Sequence, residues 1–574
     1  MAKCIYICSR RILSLQIEKR LYEICKRLEP DNVSPNEPRV VVNEDVAFGI
    51  MNPTKTLLVN SNSLLVGQIF GNSEKWDIPL EEFPDGSYAL FRDGKEYFEI
   101  VSDPVASRSI WYYMDEDVFI SSTSQRAIIM YLHSFQFDER VIPWMLSTGS
   151  LGPDFSWDKR IKRVPVDSSV ILNKKEWIIS TRSNPVEFCL VERSDEEHKD
   201  LLLKSIKTTF ESLNLDYASW ALPLSGGYDS RGILCFLQNT KSNTQNMRTL
   251  TWGLESSQGL KGNDATVANE LANKFKLPHK YYKTDISGEP IDLIFDRFAL
   301  FGEGRTDNLQ GYMDGFGVWK TIFEDGIEGI IRGDEGFGCK YYTSPLIVRL
   351  NELCSLCTDF SNLKDYKKYG FPIQELPQHL KQIKGESLNV WKDRIFHEHT
   401  LPTEFSAMSD LKLSFVEVIN PLLSKIILKQ IRQLPDHLRN EKTLFKQIVL
   451  SLSPEIDFAS SAAVSSDIDI LKQKEIVHFL KKELLQDDAK SVLPIDFLDF
   501  VLRGLKYEDS DKRFMNNSFS HKFAFNFKRI IPKFIKEAIR SKIFLPSIDD
   551  HVLAFRALLI VKMNKVFKED SLSK

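Results

Sequence analysis

One stretch restricts this chain more than any other: WALPLSGGYDSRGIL, residues 220–234, in which an apolar run stops on two adjacent glycines and resumes as a helical pattern. An apolar run of that length reads as a buried strand, and a strand leading through a tight loop into a helix belongs to a parallel sheet with crossover helices. In such sheets, ligands bind beyond the carboxyl ends of the strands. Gly226 and Gly227 have no Cβ, so their N–H groups can approach an anion closely. The helix predicted to begin near Asp229 turns its positive end to the same place. Ser225 and Ser230 can donate hydroxyl hydrogen bonds, and Asp229 can hold a Mg²⁺ that neutralises a polyphosphate. No lysine follows the glycines, which excludes the lysine-bearing loop that cradles β- and γ-phosphates. The simpler alternative is a glycine turn capped by serine and aspartate.

The remaining pattern divides the 574 residues into more than one core. Up to about residue 182 the text is short β-branched or aromatic runs bounded by Gly, Asp and Asn, with hairpin signals at RDGKE and MDEDV, which predicts an antiparallel sandwich. After the polar stretch 191–200, strands and helices alternate: LLLKSIKTTFESLNL as helix, MRTLTWGL as strand, NDATVANELANKFKLP as helix. From about residue 345 helical patterns dominate. The expected fold is therefore α/β, with units at 1–190, 191–464 and a helical extension at 465–574.

Composition excludes several classes. A formal net charge of -4 predicts no global attraction to nucleic acid or membrane, and no apolar run is long enough to span a bilayer. Eight scattered cysteines do not form a disulfide framework, so a reducing cytoplasm is the expected compartment. Cys354 and Cys357 form a lone CxxC, and Cys4 and Cys8 a second pair; neither has the two further ligands that zinc requires, so both pairs read as buried thiols.

Ser-Gly-Gly-x-Asp-Ser after a buried strand resembles the pyrophosphate loop of the ATP pyrophosphatase family, whose members split ATP between the α- and β-phosphates and adenylate a carboxylate or amide. LTWGL at 250–254 and the helix after it resemble the second strand and helix of asparagine synthetase. That likeness implies Leu250, Thr251 and Gly253 beside adenine. IEGIIRGDEGFGCKYY resembles the same family's second signature, at Gly333, Asp334, Glu335, Phe337 and Gly338. By that resemblance Gly333 and Asp334 lie by ribose and phosphates, Asp334 joins Asp229 as a Mg²⁺ ligand, and Glu335 is the acid/base carboxylate near the attacking amine, which cannot react until something takes its proton. A third match, in a segment the family folds as helix, covers Glu417, Pro421, Lys442 and a later Pro-Glu-Ile. The first 190 residues resemble the family's Ntn-hydrolase-like glutaminase domain, with Gly86, Asp103, Pro104, Tyr112, Ser121 and Ser122 at its anchor points.

The departures are as informative. The family's lysine after Pro-Glu-Ile is missing: residues 457–464 read DFASSAAV, which leaves Lys472, Lys474 or Arg332 to supply the cation. A working glutaminase of this type needs a cysteine directly after the initiator methionine, followed by glycine. This chain begins MAKC, and Cys4 is followed by isoleucine. The amidohydrolase is therefore expected to be dead, unless trimming exposes Cys4. Glutamine is then not the nitrogen donor, a combination that resembles β-lactam synthetases and lasso-peptide cyclases. The resemblance implies ATP and Mg²⁺ as cofactors and a carboxylate and an amine as substrates, in the leading case a precursor peptide with its leader-processing protein, closed into a macrolactam. Small-ring closure, use of ammonia or another amine, and a nucleotide-binding pseudoenzyme stay open.

Residues 298–320 are expected to shape a roomy substrate pocket. Tyr312 is the nearest phenol for a pairing with Glu335, and Glu303, Arg305 and Asp307 are candidates for substrate or second-metal contacts. In the extension, residues 511–542 are basic with interleaved phenylalanines, which reads as a packed helix with a solvated face.

Overall fold

The computed structural model describes residues 3–72, 74–240, 244–338, 341–507 and 545–573. The first β-rich region forms two six-stranded sheets whose strands all pair antiparallel. Cys4–Ser9 is central in one of them, between Val46–Ile50 and Val118–Ser122. Strand alternation sends Cys4, Tyr6 and Cys8 into the space between the sheets, where the Tyr6 ring stacks on Phe98 at 4.6 Å. Ile5 and Ile7 face the other way, toward Leu21 and Cys25 of the helix Ile17–Arg27. Both predicted hairpins are present, Gly86–Asp93 with Tyr97–Ser102 and Trp111–Met114 with Val118–Ser122.

A five-stranded parallel sheet follows, in the spatial order His279–Lys283, Arg248–Gly253, Trp220–Pro223, Gly329–Ile331, Glu417–Ile419. The chain starts at the middle strand, adds two strands on one side, then returns to add two on the other. The sheet therefore has its topological switch point between Trp220–Pro223 and Gly329–Ile331, where the two outgoing loops turn in opposite directions and leave a crevice. Gly329 fits under the Trp220 indole, where a Cβ would lie 2.5 Å from ring carbons.

Glu417 lies on a strand rather than a helix: Val416, Val418 and Ile419 are β-branched, and the register with Gly329–Ile331 claims the segment. Phe298, Phe301, Tyr312 and Phe316, read from sequence as pocket formers, instead pack on one another, with Phe301 at 4.8 Å from Phe316, inside the largest core. The last helix, Asp550–Leu572, enters that core too, with Leu553, Phe555, Leu558, Ile560 and Phe567 buried, so the extension is fastened into the body of the protein. Of the basic segment 511–542, all lies outside the described residues. Cys4, Cys8, Cys354 and Cys357 are buried free thiols. Among the described residues no helix is long and apolar enough to cross a membrane.

Candidate functional site

The crevice at the switch point holds a cavity of about 300 Å³ lined by Leu224, Ser225, Asp229, Ser230, Leu250, Thr251, Trp252, Asp264, Arg332, Gly333, Asp334, Ala463 and Val464, with Pro223 at its floor. Eight residues singled out from sequence thus meet in one place although they come from three separate stretches of the chain, at 225–230, 250–251 and 332–334. Gly226, Gly227 and Gly253 adjoin this lining without forming it. Gly333 rests on the first turn of the helix Tyr228–Thr240, where a Cβ would lie 3.1 Å from the Ser230 nitrogen.

The glycine loop differs from the open cradle expected. The Gly226 N–H donates to Asp264 Oδ1 at 3.0 Å, the Ser225 N–H to Ser230 Oγ at 3.0 Å, and the Gly227 N–H to Ser225 Oγ at 3.3 Å. All three acceptors are side chains. Asp264, unremarked in the sequence, is thus an anion already seated on the loop, and burial raises its pKa. Gly226 is glycine for a packing reason: a Cβ there would lie 2.4 Å from Ala459 Cβ. Gly227 has room, with only Ser225 Oγ at 3.5 Å. Gly253 packs in the same manner against Ala463.

Residues 457–464, where the lysine is missing, form a strap over these loops. The Ala459 N–H donates to Gly226 O at 3.1 Å, and the Leu254 N–H to Ala463 O at 2.8 Å. Phe458 is held between the Tyr228 ring at 3.9 Å and the Arg231 guanidinium at 3.8 Å. Small residues at 459–463 let the strap lie this close, which is what the sequence DFASSAAV achieves in place of a cation.

An ammonium reaches these loops from another element. Lys442 Nζ lies 2.9 Å from Asp229 Oδ2 and 2.7 Å from Glu335 Oε1, joining the loops that follow the first and fourth strands of the sheet. Its backbone is left-handed, as is that of Glu441 before it, at φ +59° and +54°. Two successive non-glycine residues in that region store backbone strain, which persists only where surrounding structure enforces it. Lys472 instead faces Asp549 at 3.5 Å, and Lys474 lies over the Tyr507 ring. Arg332 does lie in the lining and donates to Asp334 Oδ1 at 2.9 Å.

Glu335 is buried, and its Oε2 accepts the Phe337 N–H. Burial pushes its pKa up to about 7, with the Lys442 ammonium opposing and the Asp229 carboxylate reinforcing the rise. Burial likewise raises Asp334, against the pull of Arg332 and Lys412. Lys412 is a second side chain that sequence did not single out: fully buried, lying 5.4 Å from the Tyr312 ring and 5.6 Å from Trp319, its pKa lowered chiefly by burial. Tyr312 stands behind it, away from the cavity lining.

Glu303 and Arg305 point into the join with the N-terminal region, and Asp307 toward the last helix; none of the three lines the crevice. Glu303 accepts from Ser124 Oγ and the Gln125 N–H, Arg305 pairs with Asp410 and donates to Ser109 Oγ at 2.8 Å, and Asp307 pairs with Arg556 at 2.6 Å. Glu417 is paired with Arg108 from the same N-terminal region.

The residues present fit a magnesium–polyphosphate. Among the described residues, Asp334 Oδ2 and Arg332 Nη1 are buried with no hydrogen-bond partner, one an open oxygen ligand and the other an open donor. Among the described residues no cluster of three metal-ligating groups occurs. Mg²⁺ takes one or two carboxylates and completes its shell with phosphate and water.

No family model matches the chain, and neither does any curated protein. Among solved structures, the U34-tRNA thiolase NcsA from Methanococcus maripaludis, with its 4Fe-4S cluster, matches at 14% identity over 55% of this chain and 80% of its own, with a TM-score of 0.18. A likeness that slight bears on neither fold nor chemistry.

Proposed function

We propose that the chain is an ATP- and Mg²⁺-dependent amide ligase of the asparagine synthetase type, which activates a carboxylate with release of pyrophosphate and AMP and delivers it to an amine. The single observation that carries this reading is the convergence of Asp229, Glu335 and Lys442 at the switch-point crevice, beside the unpartnered Asp334 and Arg332 atoms.

In this reading Asp229 and Asp334 hold Mg²⁺, which would supply charge neutralisation on the polyphosphate. Leu250, Thr251 and Trp252 form the nucleoside wall, and Arg332 donates to phosphate. Lys442 takes the part of the missing lysine: its ammonium lies within reach of both loops and can follow negative charge as it shifts from the carboxylates to the leaving group. Glu335, raised by burial and steadied by Lys442, accepts the proton of the attacking ammonium. The amides of the glycine loop become available when Asp264 yields Gly226 to an incoming phosphate.

The N-terminal sandwich fits a role without glutamine hydrolysis. Cys4 is fixed inside a strand, its N–H bonded to Thr123 Oγ1 at 3.0 Å and its thiol pushed up to about 12 by burial, the reverse of an activated nucleophile. An amine other than glutamine-derived ammonia then attacks, and the leading substrate is one peptide carrying both groups, closed to a macrolactam. Holding both ends together replaces a bimolecular encounter. Lys442 weighs against a nucleotide-binding protein without chemistry, a reading that drew its support from the missing lysine. The test is release of pyrophosphate and AMP from ATP on addition of candidate carboxylates, with Asp229→Asn as control. Product with the wild type and none with the variant supports the ligase; equal turnover by both overturns the Mg²⁺ assignment.

A further inference from the structure

Behind the crevice, one helical stretch supports both partners of the Glu335–Lys442 contact. The helix Leu388–Ile395 runs directly into a π-helical segment, Phe396–Phe405, a form that is rare and concentrated at functional sites. His397, in that segment, is buried. The Arg432 Nε–H donates to His397 Nδ1 at 3.2 Å. Arginine has donors only, so Nδ1 must be the accepting nitrogen and the ring proton sits on Nε2. Nε2–H therefore donates to the Gly336 carbonyl, 2.7 Å away, on the Gly336–Phe337 peptide whose N–H donates to Glu335 Oε2. Gly336 has no space to move aside: a Cβ there would lie 2.4 Å from Leu428, on the helix Lys425–Ile431 that leads to Arg432.

One turn earlier, Lys392 and Asp393 brace the other side. The backbone of Gly338 lies against them, since a Cβ there would be 2.2 Å from Asp393 Oδ1 and 2.8 Å from Lys392 Nζ. Lys392 Nζ also donates to Asn440 Oδ1 at 3.0 Å, and Arg439 Nε to Asp393 Oδ2 at 2.5 Å. Arg439 and Asn440 lead into the two strained residues that end at Lys442. The stretch thus grips the loop of Glu335 with His397 and the approach to Lys442 with Lys392 and Asp393.

We infer that His397 and Lys392 are positioning residues, which hold the Asp334–Glu335 loop and the Lys442 ammonium in register with the nucleotide crevice. The inference rests on the ligase reading. Neither side chain lines the cavity; each acts through the backbone or side chain it holds. His397 stays neutral, because burial and the Arg432 charge push it down to about 3, so its single Nε2 proton is constant near neutrality.

The experiment uses the full chain and titrates the Mg²⁺ complex of α,β-methylene ATP, which resists the cleavage proposed above, by calorimetry. His397→Gln keeps an N–H donor near the same place; His397→Phe keeps volume and removes it. Loss of a supporting partner of this kind weakens binding by about 10- to 100-fold. His397→Phe is expected in that range, Lys392→Met likewise, and His397→Gln close to wild type. Urea midpoints are measured in parallel. A His397→Phe protein that binds the nucleotide as well as wild type overturns the inference, and so does a His397→Gln protein as weak as His397→Phe. Binding by the wild type with indifferent variants removes this inference alone; failure of the wild type to bind removes the ligase reading and this inference with it.

Discussion

Lys442 Nζ and Glu335 Oε1 are 2.7 Å apart, a half-buried ammonium on a buried carboxylate, brought together beside the crevice from two distant parts of the chain. A carboxylate buried to the extent of Glu335 would be strongly disfavoured as an anion without this ammonium, and the ammonium in turn has Asp229 as its second partner. Glu335→Gln keeps the shape and removes the proton acceptor. It is expected to lower amide formation by roughly 10²- to 10⁴-fold, the usual contribution of a positioned base. Pyrophosphate release should fall far less, because activation of the carboxylate precedes proton removal from the amine. Measuring pyrophosphate and amide product side by side checks the split, and equal loss in both assigns Glu335 to nucleotide binding instead.

Buried charges sit at the join between the N-terminal region and the rest of the chain: Arg108 pairs with Glu417 across it, and Arg305 is paired with Asp410 beside it. Ser109 holds Arg305 from the N-terminal side. Asp410→Ala strands a buried guanidinium and is expected to destabilise the protein by about 3–5 kcal/mol. Replacing both partners, Arg305→Met with Asp410→Leu, is expected to recover most of that loss, because no unpaired charge remains. Urea unfolding of the two variants decides it. A double variant as weak as Asp410→Ala shows that packing, rather than the stranded charge, sets the cost.

Some of this was written legibly in the chain. The hairpins at RDGKE and MDEDV, the strand Arg248–Gly253 and the strand–loop–helix at residues 220–234 carry local signals, and local signals survive folding. Glu303, Arg305 and Asp307 misled because a charged run looks the same whether its partners are water or polar groups far away in the chain, here Ser124, Asp410 and Arg556. Lys442 was visible as a residue but not as a neighbour of Asp229 and Glu335: its place depends on a left-handed turn braced by Lys392 and Asp393, and no spacing encodes that contact. The strap 457–464 was read for what it lacks, whereas its small residues are needed to pass within van der Waals range of Gly226 and Gly253.

Glu352 offers a stability test away from the crevice. Its carboxylate is buried, accepts from Thr400 Oγ1 at 3.0 Å, and is pushed by burial from the ordinary 4.5 up to about 7. A group whose pKa is higher folded than unfolded holds its proton more tightly in the native state. Its stabilising effect is complete below about 4.5 and is lost as pH rises through about 7. Wild-type stability is thus expected to decline over that window, by up to roughly 3 kcal/mol from this group. Glu352→Gln is expected to flatten that part of the profile, with urea midpoints at a series of pH values as the measure. An unchanged slope removes Glu352 as its source.

The two glycines of the loop separate packing from ligand approach. Gly226→Ala places a methyl 2.4 Å from Ala459 Cβ, so the strap must shift; destabilisation by about 1–3 kcal/mol is expected, with nucleotide binding lost in consequence. Gly227→Ala meets only Ser225 Oγ at 3.5 Å, and its φ is not in the left-handed region, so the fold should tolerate it. If phosphate approaches this loop as proposed, the Gly227 methyl intrudes on the ligand and weakens binding of the Mg²⁺ complex of α,β-methylene ATP while the urea midpoint stays put. Binding undisturbed by Gly227→Ala places the phosphates elsewhere in the crevice. Gly226 would then owe its presence to the strap alone.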